Sequence, residues 1–197
     1  AEANVNISAV SANPFVVITY SDITISTHLI GLYNANNINA ALTIGKYFDV
    51  ADAAIKQALE SYIPENNRSQ LLTKGTNQII LDAYNANPSS MAVAIEYFVQ
   101  LENPNKIMIL GDMFELGQES AVEHKSIVTS LLNQEKVVCH FVGAAFFANK
   151  ISKDNFSFYE NFESFSAYLK ETKIDNSTIL IKGSRGMALE RTLDFLL

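Results

Sequence analysis

The sequence predicts an α/β chain: a Rossmann-like, doubly wound and mostly parallel sheet over residues 64–197, preceded by a smaller α+β segment over residues 1–63. Three observations carry that prediction. After Asn67, short continuous apolar runs alternate with helix-like runs, the pattern of parallel strands covered on both faces and joined by right-handed crossovers. Before it, apolar and polar residues alternate one for one, as in half-buried antiparallel strands. The breaker cluster Pro64-Glu65-Asn66-Asn67 stands between the two textures and marks the boundary.

In the first segment Val5, Ile7 and Ala9 form one alternating run, Phe15 to Tyr20 a second, and Ile23, Ile25, Thr27 and Leu29 a third. Ser21-Asp22 between the last two reads as a hairpin turn. From Asn39 to Phe48 the chain carries Ala41, Leu42, Gly45 and Phe48 on a helical pattern. Asp52 is placed to cap a second helix with Ile55, Ala58, Leu59 and Tyr62 on one face. Two helices on three strands make a thin core for about 60 residues, near the lower limit for independent folding. The segment therefore reads as the tail of a larger domain. The start Ala1-Glu2-Ala3, without methionine, fits processing or an excised piece.

In the second segment strand-like runs fall at 79–83, 107–110, 137–142, 156–159 and 178–181. Helix-like runs at 89–101, 120–133, 144–150 and 162–171 separate them, and one at 187–197 follows. Residues 71–74 add an edge strand, turned back by Gly75-Thr76-Asn77, and Ser120 with Glu123 forms a capping box.

Composition narrows the function. A hydrophobic content of 48% is ample for a core, and a net charge of −7 argues against binding a nucleic-acid backbone, which needs clustered Lys and Arg. Cys139, the single cysteine, lies inside an apolar run; it excludes an internal disulfide, points to a reducing compartment, and reads as a buried thiol before a nucleophile. No apolar run approaches the roughly 20 residues of a membrane span. There is no G-x-G-x-x-G and no P-loop, and His28, His124 and His140 show no metal-ligand spacing with Cys139.

The strand ends carry the informative residues. After 79–81 comes Asp82-Ala83-Tyr84-Asn85-Ala86-Asn87-Pro88-Ser89-Ser90-Met91. Four polar groups precede a helix N-terminus at the carboxyl edge of the sheet, where doubly wound folds bind ligands. The bland alternative is an Asn- and Pro-rich turn with Asp82 as a helix cap. After 107–110 comes Gly111-Asp112-Met113-Phe114-Glu115-Leu116-Gly117, whose carboxylates suit an ammonium or magnesium, or simply face water. His124 follows in the next helix and reads as packing or surface. After 178–181 comes Lys182-Gly183-Ser184-Arg185-Gly186, an anion site or a basic turn. In the first segment Asn34 and Asn37 belong to a run of four asparagines that suits capping first and an adenine edge second. Arg68, just past the boundary, is a phosphate or ribose contact or a surface arginine.

Taken in order, these motifs resemble the Mur ligase family over essentially the whole chain. Gly31 to Ala41 matches the family's G-x-[YH]-N-x-x-N-x-x-A-A, near the end of its central ATPase domain. Asn67-Arg68 matches its hinge, Asp82 to Met91 its D-x-Y-N-A-N-P-x-S-M, Leu110 to Gly117 its L-G-D-M-x-E-L-G, and Lys182 to Arg185 its K-G-S-R, with His124 as the intervening histidine. Tyr84 to Pro88 favours the branch that adds D-alanyl-D-alanine to UDP-N-acetylmuramoyl-tripeptide.

The resemblance implies that residues 1–63 are the end of the central ATP-binding domain and 64–197 the C-terminal domain. It implies ATP contacts at Asn34, Asn37, Arg68, Asp82, Tyr84, Asn85 and Asn87. It places Asp112, Glu115, Lys182, Ser184 and Arg185 near the incoming dipeptide or the acyl phosphate. ATP and Mg2+ are the implied cofactors, with the main metal ligands, the P-loop and the UDP-binding domain in parts the chain lacks. The expectation is a bacterial cytoplasmic enzyme of peptidoglycan synthesis whose present stretch is inactive alone. Competing readings are a non-catalytic nucleotide- or peptide-binding module of the same fold, a related ligase for another amino acid such as a folate polyglutamate synthetase, and, more distantly, an oxidoreductase.

Overall fold

The structure is a computed structural model and describes residues 5–196. The chain forms two compact units that meet in sequence at Glu65 and Asn66.

The first unit holds strands β1 (Ile7–Ala12), β2 (Phe15–Tyr20) and β3 (Ile23–Ile30), an antiparallel sheet in that order, and helices α1 (Ala35–Tyr47) and α2 (Asp52–Ser61). Ser21 and Asp22, with φ of 44° and 67°, make the tight turn between β2 and β3. Val16, Ile18 and Tyr20, every second residue of β2, are buried with Ile25, Ile38, Leu42 and Ile55, so one face of the sheet is covered by the two helices. Two local expectations change. α1 starts at Ala35, taking in the asparagine run: Asn34 donates its amide back to the Ile30 carbonyl (2.8 Å) and receives the Asn37 amide (2.8 Å), so side chains otherwise poor in a helix bond to one another at its first turn. Asp52 is the first residue of α2 and does not cap it; its carboxylate faces Lys46 at 2.9 Å.

The second unit is the α/β domain. Its strands are β4 (Gln70–Lys74), β5 (Asn77–Asp82), β6 (Lys106–Gly111), β7 (Val137–Val142), β8 (Phe156–Tyr159) and β9 (Thr178–Lys182), in sheet order β4-β5-β9-β6-β7-β8. β4 runs antiparallel to β5 and the other five strands are parallel. The connecting helices are α3 (Pro88–Gln100), α4 (Ser120–Ser130), α5 (Ala144–Ala148) and α6 (Phe162–Glu171). The chain advances from β5 to β8 and then turns back to lay β9 between β5 and β6. With right-handed crossovers, that reversal puts α6 on the face opposite α3, α4 and α5. Neighbouring residues of β7 show both faces: Phe141 packs on Phe146 of α5, while His140 lies among Tyr159 and the α6 residues Phe165 and Tyr168. The α6-side core joins Ile79, Leu81, Ile109, Ile179 and Ile181 of the central strands to Phe162, Phe165 and Leu169.

Two helix ends differ from the sequence reading. α4 follows a 3₁₀ turn and has no capping side chain, because the Ser120 carbonyl accepts from His124 Nδ1 at 2.7 Å and its hydroxyl sits 3.3 Å from the same nitrogen. The expected C-terminal helix is instead two 3₁₀ stretches, Arg185–Met187 and Leu189–Phe195, broken by Ala188 at φ 47°. The break turns Leu189 into the notch between Gly111 and Gly183, where added β-carbons would lie 2.6 and 2.9 Å from its side chain. Residue 197 of that expected helix lies outside the described residues.

Candidate functional site

Laying β9 between β5 and β6 brings the loops after all three strands to one edge, the crevice where open α/β sheets take ligands. Polar bonds already hold these loops together. Ser184 is the knot: its N–H donates to the Asp112 carbonyl (3.1 Å), its hydroxyl accepts the Phe114 N–H (2.8 Å) and approaches the Ala86 carbonyl (3.4 Å). Two of these bonds reach the loop after β6 and one the loop after β5, so one buried hydroxyl residue at the end of β9 joins the three strand ends.

Asp112 is 5% exposed and points away from solvent. Its two oxygens accept the N–H groups of Ala145 (2.9 Å) and Phe146 (3.0 Å) at the start of α5. This is a carboxylate cap supplied from another strand, in the favourable direction of the helix dipole. Gly143 makes room for it: its φ is 130°, and a β-carbon there would lie 2.3 Å from the Asp112 carboxyl carbon. His124, fully buried, accepts the Met113 N–H on Nε2 at 2.9 Å and donates from Nδ1 to Ser120, which fixes the loop after β6 from behind. It is a packing and scaffolding histidine.

Lys182 is 2% exposed, and its ammonium donates to Asp82 Oδ2 at 2.6 Å and to the Asn85 carbonyl at 3.3 Å. The other Asp82 oxygen accepts the Ser69 N–H at 3.1 Å. Asn87 is the N-cap of α3: its side chain accepts the Ser90 N–H (2.8 Å) and the Ser89 hydroxyl (2.9 Å), and Pro88 opens the helix. The alternative with Asp82 as a helix cap is thus corrected, since the asparagine nearer the helix takes that position. Asn85 turns its side-chain oxygen onto the Ala86 N–H at 2.9 Å.

What these bonds leave at the surface is a small cationic and aromatic patch. Tyr84 is 40% exposed, with the Arg68 guanidinium 3.8 Å from its ring centroid and that of Arg185 at 5.7 Å. Among the described residues neither arginine has a carboxylate partner. Phe114 stands beside them over Gly186, and Glu115, at φ 65°, is the exposed carboxylate of the loop after β6. The arrangement suits an anionic ligand with a planar group.

The structure therefore gathers Arg68, Asp82, Tyr84, Asn85, Asn87, Asp112, Glu115, Lys182, Ser184 and Arg185 in one unit. It divides them into a frame (Asp112, Lys182 and Ser184 buried, Asp82 half-buried) and an exposed rim (Arg68, Tyr84, Asn85, Asn87, Glu115, Arg185). Asn34 and Asn37 belong to the other unit, where they bond to each other. Sequence reading missed Ser69 and Gly143. Ser69 acts through its backbone and left no signal; Gly143, directly after a strand and before a helix, was readable as a backbone special.

The strongly shifted titrating groups lie away from this edge. Burial holds His140 down at about 4, and pushes Cys139 and Tyr159 up to about 12. The Cys139 thiol is therefore inert packing.

A family model described as "Mur ligase, glutamate ligase domain" matches residues 67–185. Curated proteins named UDP-N-acetylmuramoyl-tripeptide–D-alanyl-D-alanine ligase are similar along most of the chain. That of Rickettsia prowazekii is 32% identical over 186 residues, covering 89% of this chain and 39% of the relative. That of Bacillus subtilis is 34% identical over 170 residues, covering 82% and 37%. The chain thus spans less than two fifths of these relatives' length. Among solved structures, MurF from Acinetobacter baumannii matches with a TM-score of 0.83 at 23% identity, covering 97% of this chain and 44% of that one. MurF from Thermotoga maritima in complex with ADP matches at 0.77 and 19%, covering 98% and 45%. At these identities the two structures speak for the fold.

Proposed function

The chain belongs to the Mur ligase family, and from that premise we propose that it is the closing portion of an ATP-dependent ligase that joins D-alanyl-D-alanine to UDP-N-acetylmuramoyl-tripeptide. In this reading residues 1–63 complete a central ATP-binding domain and residues 64–197 form the C-terminal domain that shuts over the nucleotide. ATP passes its terminal phosphoryl group to the tripeptide carboxylate and leaves as ADP. The dipeptide amine then adds to the acyl-phosphate carbon, loses its proton, and phosphate departs as the amide forms. Holding three charged reactants in one dry cleft is the physical demand, and domain closure meets it.

The observation that supports this reading is the cationic rim. Arg68 and Arg185 flank an exposed tyrosine ring with no carboxylate to neutralise them among the described residues, at the sheet edge where ligands bind. Arg68 and Tyr84 would take the nucleotide, with Asn85 and Asn87 shaping the loop beside it. Arg185 would meet the acyl phosphate or the dipeptide carboxylate, and exposed Glu115 the dipeptide ammonium. Asn34 and Asn37 would offer their linked amides to adenine. Asp82, Asp112, Lys182 and Ser184 would serve this site as its frame. Among the described residues no cluster of three or more His, Cys, Asp or Glu is placed to hold a metal. The magnesium that accompanies ATP would draw its main ligands from the portion of the relatives this chain does not cover. Such substrates belong to the bacterial cytoplasm, and no helix of the described residues is long and apolar enough to cross a membrane.

The test is a ligation assay with ATP, UDP-linked tripeptide and D-alanyl-D-alanine, run on this chain and on a longer polypeptide containing it together with a P-loop. Amide formation is expected from the longer polypeptide and negligible turnover from the chain alone. A folded longer polypeptide that stays inactive on verified substrates would refute the ligase and leave the non-catalytic binding module.

A further inference from the structure

Arg68 sits between two residues in the left-handed region, Asn67 at φ 54° and Ser69 at φ 49°. Neither is glycine, so this backbone is costly and persists only where its surroundings hold it. Two bonds to the end of β5 and the loop after it do so: the Tyr84 N–H donates to the Asn67 carbonyl (3.0 Å) and the Ser69 N–H to Asp82 Oδ1 (3.1 Å). The second bond depends on where the Asp82 carboxylate points, and Lys182 sets that by gripping its other oxygen at 2.6 Å. The same ammonium reaches the Asn85 carbonyl at 3.3 Å, next to Tyr84 in the chain. One buried cation thus holds the acceptor of one support and the residue next to the donor of the other.

We propose that Lys182 is a positioning residue that fixes Arg68 over Tyr84 through Asp82 and Asn85, and that it does not contact substrate. An ammonium on a residue 2% exposed, already spent on a carboxylate and a carbonyl, has no face to offer a ligand. The consequence for binding rests on the nucleotide reading above; the positioning itself does not.

The experiment is NMR of this chain, reading the upfield ring-current shift of the Arg68 side-chain protons, with Y84L defining its complete loss. K182M should remove most of that shift while the Phe141–Phe146 region keeps its resonances, and K182R should restore part of it. If K182M does not fold, D82L/K182M replaces the pair by apolar groups of similar size, a change that folds tolerate; the same loss is expected there. An Arg68 shift that stays at its original value in whichever of these variants folds overturns the proposal. An ADP titration adds the functional arm. Losing a hydrogen bond to a charged group lets the competent arrangement fall in population, so apparent affinity should weaken by up to about tenfold. Absence of any ADP response in the longer polypeptide that carries the P-loop would count against the nucleotide reading, while the Arg68 shift still decides the role of Lys182.

Discussion

Replacing Asp112 by alanine separates a frame residue from a ligand contact, and its cost can be worked from the structure. Among the described residues the carboxylate is the one side chain on the Ala145 and Phe146 N–H groups, at 2.9 and 3.0 Å. Hydrogen bonds to a charged group contribute about 1.5–3 kcal/mol each, and a carboxylate at a helix N-terminus adds roughly 0.3–1 kcal/mol. Neighbouring contributions do not add fully, so D112A should cost about 3–4 kcal/mol. Against a typical domain stability of about 5–15 kcal/mol, that is a large fraction. D112N keeps one acceptor oxygen and should cost about half as much. Urea denaturation of the three proteins gives the stabilities, and amide exchange at Ala145 and Phe146 tells whether the loss starts at α5. If D112A keeps its stability within about 0.5 kcal/mol, the ordinary range for a surface substitution, with protection at both amides unchanged, the capping role is wrong.

Two further perturbations address other seats in the same unit. G143A forces a β-carbon to 2.3 Å from the Asp112 carboxyl carbon at a φ of 130°; backbone strain and overpacking together should cost roughly 2–5 kcal/mol, and a denaturation midpoint equal to that of the parent would contradict the seat described. His140 is held neutral in its aromatic surround at about 4, below its ordinary 6.5, so the unfolded chain takes up the proton first. Its contribution to stability is intact above pH 6.5 and is lost as pH falls toward 4, by about 3 kcal/mol at most. Urea midpoints between pH 7.5 and 4.5 should fall less in H140L than in the parent, and equal slopes would refute this.

Much of the architecture was legible because its signals are local. Apolar runs set the parallel strands and Ser21-Asp22 set the turn between β2 and β3, whereas the helix cap offered at Asp82 falls to Asn87, next to the helix. Strand order was not legible, and the site depends on it. Asp82 and Lys182 lie 100 positions apart and meet only because β9 enters between β5 and β6. Reading strand ends one at a time therefore made Lys182 part of an anion site or a basic turn, and the family resemblance set Asp82 with the nucleotide and Lys182 near the dipeptide or the acyl phosphate, whereas in the structure the two side chains are each other's partners. Ser184 and Asp112 show the same limit: their residue types announced polar chemistry, but the donors and acceptors that occupy them come from other loops. At the C-terminus the apolar spacing predicted a helix, while the glycine notch under Leu189 required the left-handed break at Ala188.

The position of β9 also dictates an order of events on the ribosome. At roughly 5–20 residues per second, the 100 residues separating Ile80 from its partner Leu180 take on the order of 5–20 s to synthesise. Once β6 has been made as well, β5 and β6 can present facing edges with no strand between them until β9 arrives, the kind of open backbone that pairs with the wrong chain. A polypeptide released before Thr178 carries both outer parts of the sheet and none of its middle. Of the three strands that build the candidate site, β9 is thus the last to be made, so a product that stops before it holds no assembled edge.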